Sequence, residues 1–171
     1  MKRKPFFLTY FLLLVTQILI CNYLQLSPYV TLSILPVMIL MLPVRYGTIF
    51  AMFLAFFSGL SVDYLAEGVL GLNSLAFVPV AVMRRPIIRL IFGDEVFSRK
   101  EDISIRRHGA LKMIFAIVFS QTIFLLIYIW ADAAGMRPFS FCLVRFILSL
   151  IPGVLISIPL SKLLATNEHD L

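Results

Sequence analysis

The chain is written in long apolar runs broken by short polar punctuation, a pattern that predicts helices at membrane depth. The first run, Phe6 to Leu26, is long enough to span a bilayer core with modest tilt. Ser27-Pro28 predicts a tight turn, and a second run follows from Tyr29 to Val44 with Pro36 and Pro43 inside it. Fully helical, that run rises about 24 Å, slightly less than the hydrocarbon thickness, so a kink or local thinning of the bilayer is expected. The third run extends from Tyr46 to Tyr64 and closes on the acidic residues Asp63 and Glu67. A fourth begins near Gly68 and reaches Met83, where Arg84-Arg85-Pro86 is expected to stop it.

Ile87 to Phe92 is too short to cross and is expected to lie at the surface as a turn of helix, with Arg89 reaching to the headgroups. Gly93 to Gly109 is the long polar connection, with cancelling charges, and is expected to be a loop in water or a cytoplasmic docking site. The fifth run, Ala110 to Ala131, carries Lys112 and Gln121, and Asp132 to Pro138 turns the chain. Phe139 to about Leu160 is the sixth, carrying Arg145, Pro152 and Pro159, before a polar tail from Ser161. The pattern predicts one polytopic domain, an all-α integral membrane protein with a six-helix transmembrane bundle. Its spans are 6–26, 29–44, 46–64, 68–83, 110–131 and 139–160, its cytoplasmic loop 84–109, and its outer loops short.

Composition strengthens this picture. Of 171 residues, 61% are hydrophobic and 14% charged, and the mean hydropathy is +0.99, whereas soluble domains carry about 25% charged residues. A net charge of +6 would suggest nucleic acid in a soluble chain, but here the basic residues bracket apolar runs, so no nucleic-acid footprint is expected. Thirteen of the fifteen basic residues fall on one side of the predicted crossings, while the loops of the other side hold only Arg137. By the positive-inside rule both termini and the long loop are cytoplasmic. Lys2-Arg3-Lys4 before the first run resembles a signal peptide, but Ile20-Cys21-Asn22-Tyr23 offers no small-residue cleavage site, so a retained anchor is expected. Cys21 and Cys142 are far apart and make neither a disulfide framework nor a metal cluster.

Gly47, Ala51, Ala55 and Gly59 recur every four residues along the third run, and Asp63 and Glu67 continue the spacing. Such a stripe stays on one side of a helix for several turns and lets another backbone approach closely, either within this chain or from a partner's helix. Asp63, Glu67, Asn73 and Arg145 form the candidate polar constellation. Paired carboxylates can share a proton, bind a cation or act as acid and base, and near an interface they can simply be hydrated. Arg145 lies roughly 9 Å into the sixth run by helical rise, where an unpartnered cation is costly, and pairing with Asp63 or Asp132 is expected. Gln17, Asn22, Gln25 and Gln121 suit interhelical hydrogen bonds. No zinc motif, nucleophile turn, phosphate loop or Cys-x-x-Cys is present, and neither catalysis, cofactor nor metal is expected.

Phe56-Phe57-Ser58-Gly59-Leu60-Ser61-Val62-Asp63, followed by Gly68-Val69-Leu70-Gly71-Leu72-Asn73-Ser74-Leu75-Ala76-Phe77 and the exit Arg84-Arg85-Pro86, resembles the MreD family of rod-shape-determining membrane proteins. The distinctive likeness covers Phe56 to Arg85, and the charged loop from Gly93 to Gly109 departs from the family's usual connection. The resemblance implies a multi-pass subunit of the bacterial cytoplasmic (inner) membrane, part of the elongation machinery for peptidoglycan synthesis and cell shape. Its implied partners are MreC and, through it, the class-B penicillin-binding transpeptidase, the RodA-type glycosyltransferase and MreB. A bundle like the substrate-binding subunits of energy-coupling-factor transporters is implied as well. Gly59, Asp63, Gly71 and Asn73 are the positions carried over, in a structural or partner-binding role. The alternative is a vitamin-like solute-binding subunit of such a transporter, although Phe6 to Leu26 lacks the alanine motif typical of those proteins.

Overall fold

The computed structural model describes residues 6–23, 29–98, 103, 109–134 and 136–166. Its elements are helical: α1 (Phe6–Tyr23), α2 (Leu35–Leu40), α3 (Thr48–Val62) with a π-helical continuation (Asp63–Glu67), α4 (Leu72–Phe92), α5 (Glu95–Ser98), α6 (Ala110–Ala133) and α7 (Phe139–Thr166). Four helices are long and apolar enough to cross a membrane: α1, α3 with its continuation, α6 and α7. Phe11, Phe53, Phe57, Phe115, Trp130 and Ile151 are among the large apolar side chains on their outer faces. Outward-facing residues of this kind suit acyl chains and would be an aggregation liability in water.

The direction of the chain follows from ring and amide contacts. Phe7 of α1 lies 5.8 Å from the Tyr46 ring and 6.4 Å from Phe50, at the start of α3. At the far end, Asn22 donates to the Leu65 carbonyl at 3.3 Å. Helices α1 and α3 are therefore parallel, and the chain between them must return along the molecule.

That return departs from the expected second helix over 29–44. Only Leu35–Leu40 is helical, with Pro36 in its first turn. Ile34 to Leu42 are almost completely buried, and α2 packs on all five long helices. A short helix with Pro36 inside and Pro43 after it cannot satisfy its neighbours' backbone groups by itself. Buried side chains of the long helices do so instead. Gln17 of α1 accepts from the Ile34 amide at 2.8 Å and donates to the Leu32 carbonyl at 3.2 Å. Gln121 of α6 donates to the Ser33 carbonyl at 3.1 Å, and Ser149 of α7 accepts from the Thr31 amide at 2.8 Å. Irregular backbone at membrane depth is tolerable only where protein covers it in this way. Of the amides expected to join helix to helix, Asn22 does so through Leu65, Gln17 and Gln121 instead serve a non-helical stretch of chain, and Gln25 lies outside the described residues.

The fourth run also differs from expectation. Arg84-Arg85-Pro86 does not stop it: α4 continues to Phe92 with Pro79 and Pro86 inside, so Ile87 to Phe92 is its last part and not a separate surface turn. Arg84 is 2% exposed and directs its guanidinium to the carbonyls of Leu40 and Leu42, at the end of α2. Arg89, on the outer side of the same helix, pairs with Asp94 in an exposed position. Beyond Gly93, the connection expected to lie wholly in water includes α5, and Val96 and Ile103 are buried in the core. Most of the remainder, His108 included, lies outside the described residues.

Candidate functional site

The expected polar cluster divides in two. At the first place α3 ends not in a free turn but in a π-helical turn, in which the Gly68 amide reaches back to the Asp63 carbonyl at 2.8 Å. Gly68 (φ +71°) and Gly71 (φ +97°) are both left-handed, a conformation glycine adopts without a Cβ penalty, and together they reverse the chain into α4. Asp63 is completely buried beneath this reversal. Its carboxylate accepts from the amides of Gly71 at 3.0 Å, Asn73 at 2.8 Å and Ser74 at 3.3 Å, and from the side chains of Asn73 at 2.9 Å and Ser74 at 3.2 Å. The first amides of a helix have no intrahelical acceptor, and a negative charge there also complements the helix dipole. Asp63 therefore serves α4 as a cap donated by the preceding helix.

Gly59 lies one turn before. A Cβ on it would stand 2.7 Å from the Cα and the amide nitrogen of Ser74, so α3 and α4 touch here backbone to backbone. Ala51 and Ala55 are fully buried on the same helix, whose most extensive packing is with α4. Gly47, the remaining member of the stripe, is the N-cap of α3 with open space around it, and is not a packing position. Tyr10 and Ser58 add a hydrogen bond of 2.9 Å between α1 and α3.

Arg145 belongs to the second place. It pairs with Asp132 across α6 and α7, not with Asp63, and donates to Thr31 Oγ1 at 3.1 Å. Its guanidinium also lies 5.8 Å from the centre of the Tyr128 ring. The Tyr128 hydroxyl donates in turn to Glu67 at 2.9 Å, four residues on from Asp63. Glu67 and Tyr128 thus link the two places, and the same end of the molecule holds the ends of α3 and α6 and the starts of α4 and α7.

The chemistry of this arrangement is fastening. Asp63 has its lone pairs committed to five donors and no path to solvent. Arg145 has an anion, a hydroxyl and an aromatic face as partners. Among the described residues no group of three His, Cys, Asp or Glu side chains is placed to hold a metal ion. Sequence reasoning singled out Asp63, Asn73 and Arg145 but not Ser74, Thr31, Ser149 or the burial of Arg84. Ser74 had a local signal, its position three residues after the left-handed Gly71; the others act on backbone far away in the chain. Compared with protein-family models, with curated proteins and with solved structures, the chain matches none.

Proposed function

We propose that this protein is a scaffold subunit of the MreD type in a bacterial cytoplasmic membrane. On this reading it performs no catalysis, binds MreC, and thereby supports peptidoglycan synthesis during cell elongation. The chain crosses the membrane six times, five times as helix and once through residues 29–44, with both termini and the 84–109 loop cytoplasmic. The bundle would resemble those of energy-coupling-factor binding subunits.

The observation that carries this reading is the way the motif residues are used. Asp63, Asn73 and the glycines of the family-like stretch are consumed in joining α3 to α4. The outer surface is left as a belt of aromatic and aliphatic side chains suited to lipid and to other helices. Because the motif is covered, it positions a docking surface and is not itself that surface.

Copurification of the detergent-solubilised chain from its native membrane tests the proposal. A single-span periplasmic protein of the MreC type is expected to accompany it. Recovery of a nucleotide-driven coupling module without that partner would instead favour a solute-binding transporter subunit.

A further inference from the structure

Between α6 and α7 lies a groove of about 680 Å³, lined by neither Asp132 nor Arg145 and within the range of about 300–1,000 Å³ typical of ligand sites. Leu126, Trp130, Phe139, Cys142 and Phe146 line it, and Arg137, from the turn joining the two helices, is its one charged lining residue. Trp130 and Phe139 are each 81% exposed. Arg137 is exposed as well, and its guanidinium lies 5.0 Å from the centre of the Phe141 ring. Among the described residues no carboxylate pairs with Arg137, whereas the neighbouring Arg145 is neutralised by Asp132.

We propose that this groove holds one anionic phospholipid, an acyl chain between α6 and α7 and its phosphate on Arg137. Three observations select that occupant over bulk lipid or a solute. The lining is apolar along the helices, so a polar solute would find nothing to bond there. A single cation stands at one end, matching the one charged end of a lipid, and a planar guanidinium can hold a phosphate through paired hydrogen bonds. Trp130 lines the groove near the end of α6, and tryptophan settles at the level of headgroups. Arg137 is also the lone basic residue of the predicted outer loops, so no neighbouring cation there competes for the phosphate.

Trp130 is the only tryptophan in the chain, so the groove carries its own reporter. The full chain is reconstituted in phosphatidylcholine vesicles containing equal fractions of either brominated phosphatidylglycerol or brominated phosphatidylcholine, and quenching of Trp130 is followed. The anionic quencher is expected to act at a mole fraction about fivefold lower, the contribution of one basic residue at an anionic surface. Arg137→Gln should abolish the preference and Arg137→Lys reduce it, while Arg45→Gln, at the opposite end of the bundle, should keep it. Added salt should weaken the preference in the unaltered chain, which provides a test independent of how the variants fold. Equal quenching by the two lipids, or a preference that survives Arg137→Gln, would overturn the proposal. Shielding of Trp130 from both lipids would overturn it too, by showing that a second copy or another protein fills the groove.

Discussion

A buried carboxylate is expensive unless hydrogen bonds replace its water, and at Asp63 they do so without any cation among the described residues. Removing it strands the amides that begin α4. Asp63→Ala is therefore expected to lower stability by at least about 4 kcal/mol, since each buried donor left unsatisfied costs about 1–3 kcal/mol. Asp63→Asn should fall between the two, because it keeps one acceptor but turns an amide group toward existing donors. Reversible unfolding in mixed micelles measures the difference, and a loss under about 1 kcal/mol for Asp63→Ala would show that the cap matters little. Gly59 makes a related point. Any side chain there meets the Ser74 backbone, so Gly59→Ala is expected to lower the melting temperature in detergent, at a cost of about 1–3 kcal/mol for overpacking. Gly59→Leu, which on sequence grounds would probe partner docking, instead probes whether α3 and α4 can close.

At the scale of elements, the return segment before α2 depends on residues that hold no secondary structure in common with it. Gln17 satisfies both an amide and a carbonyl of that segment, whereas Gln121 satisfies one carbonyl and has its own Oε1 buried without a partner. Gln17→Leu is accordingly expected to cost more than Gln121→Leu, by about 1–2 kcal/mol, in the same unfolding measurement. Equal losses would mean that the segment is held by packing alone. This element also marks where the sequence was legible. Apolar runs located α1, α3, α6 and the start of α7 to within a few residues, because their periodicity and length are local properties. Helix α7 continues past its expected end near Leu160 to Thr166, and buries Ser161 and Leu164 where a polar tail was expected. Pro36 and Pro43 pointed to a kinked helix, and Arg84-Arg85-Pro86 to a terminus, because each is a local breaker in water. Their true setting depends on Ser149 and Gln121, which lie 118 and 88 residues away from the groups they bond, and on α2 carbonyls that turn a basic stop signal into a buried donor. The same limit applies to the candidate site. Asp63 was legible as an unusual acidic residue, but its acceptor role and the choice of Asp132 by Arg145 were set by tertiary placement.

For the whole molecule, the basic residues predict an orientation that the apolar belt alone does not give. Met136, 92% exposed in the turn between α6 and α7, and Lys112, exposed near the start of α6, lie at opposite ends of one long helix pair. With Cys21 and Cys142 replaced by serine, Met136→Cys is expected to react with an impermeant maleimide in intact cells, and Lys112→Cys only after permeabilisation. The reverse pattern would invert the proposed topology. The route taken by residues 29–44 bears also on biogenesis. A conventional hydrophobic helix can leave the insertion machinery alone, since its peptide bonds are already closed on themselves. This stretch is served only in part by Gln17 of α1, because Gln121 and Ser149, the partners of its Ser33 carbonyl and Thr31 amide, are translated only when α6 and α7 emerge. Synthesis interrupted before that point leaves those two peptide groups bare at membrane depth, so the nascent protein needs shelter until the α6–α7 hairpin arrives.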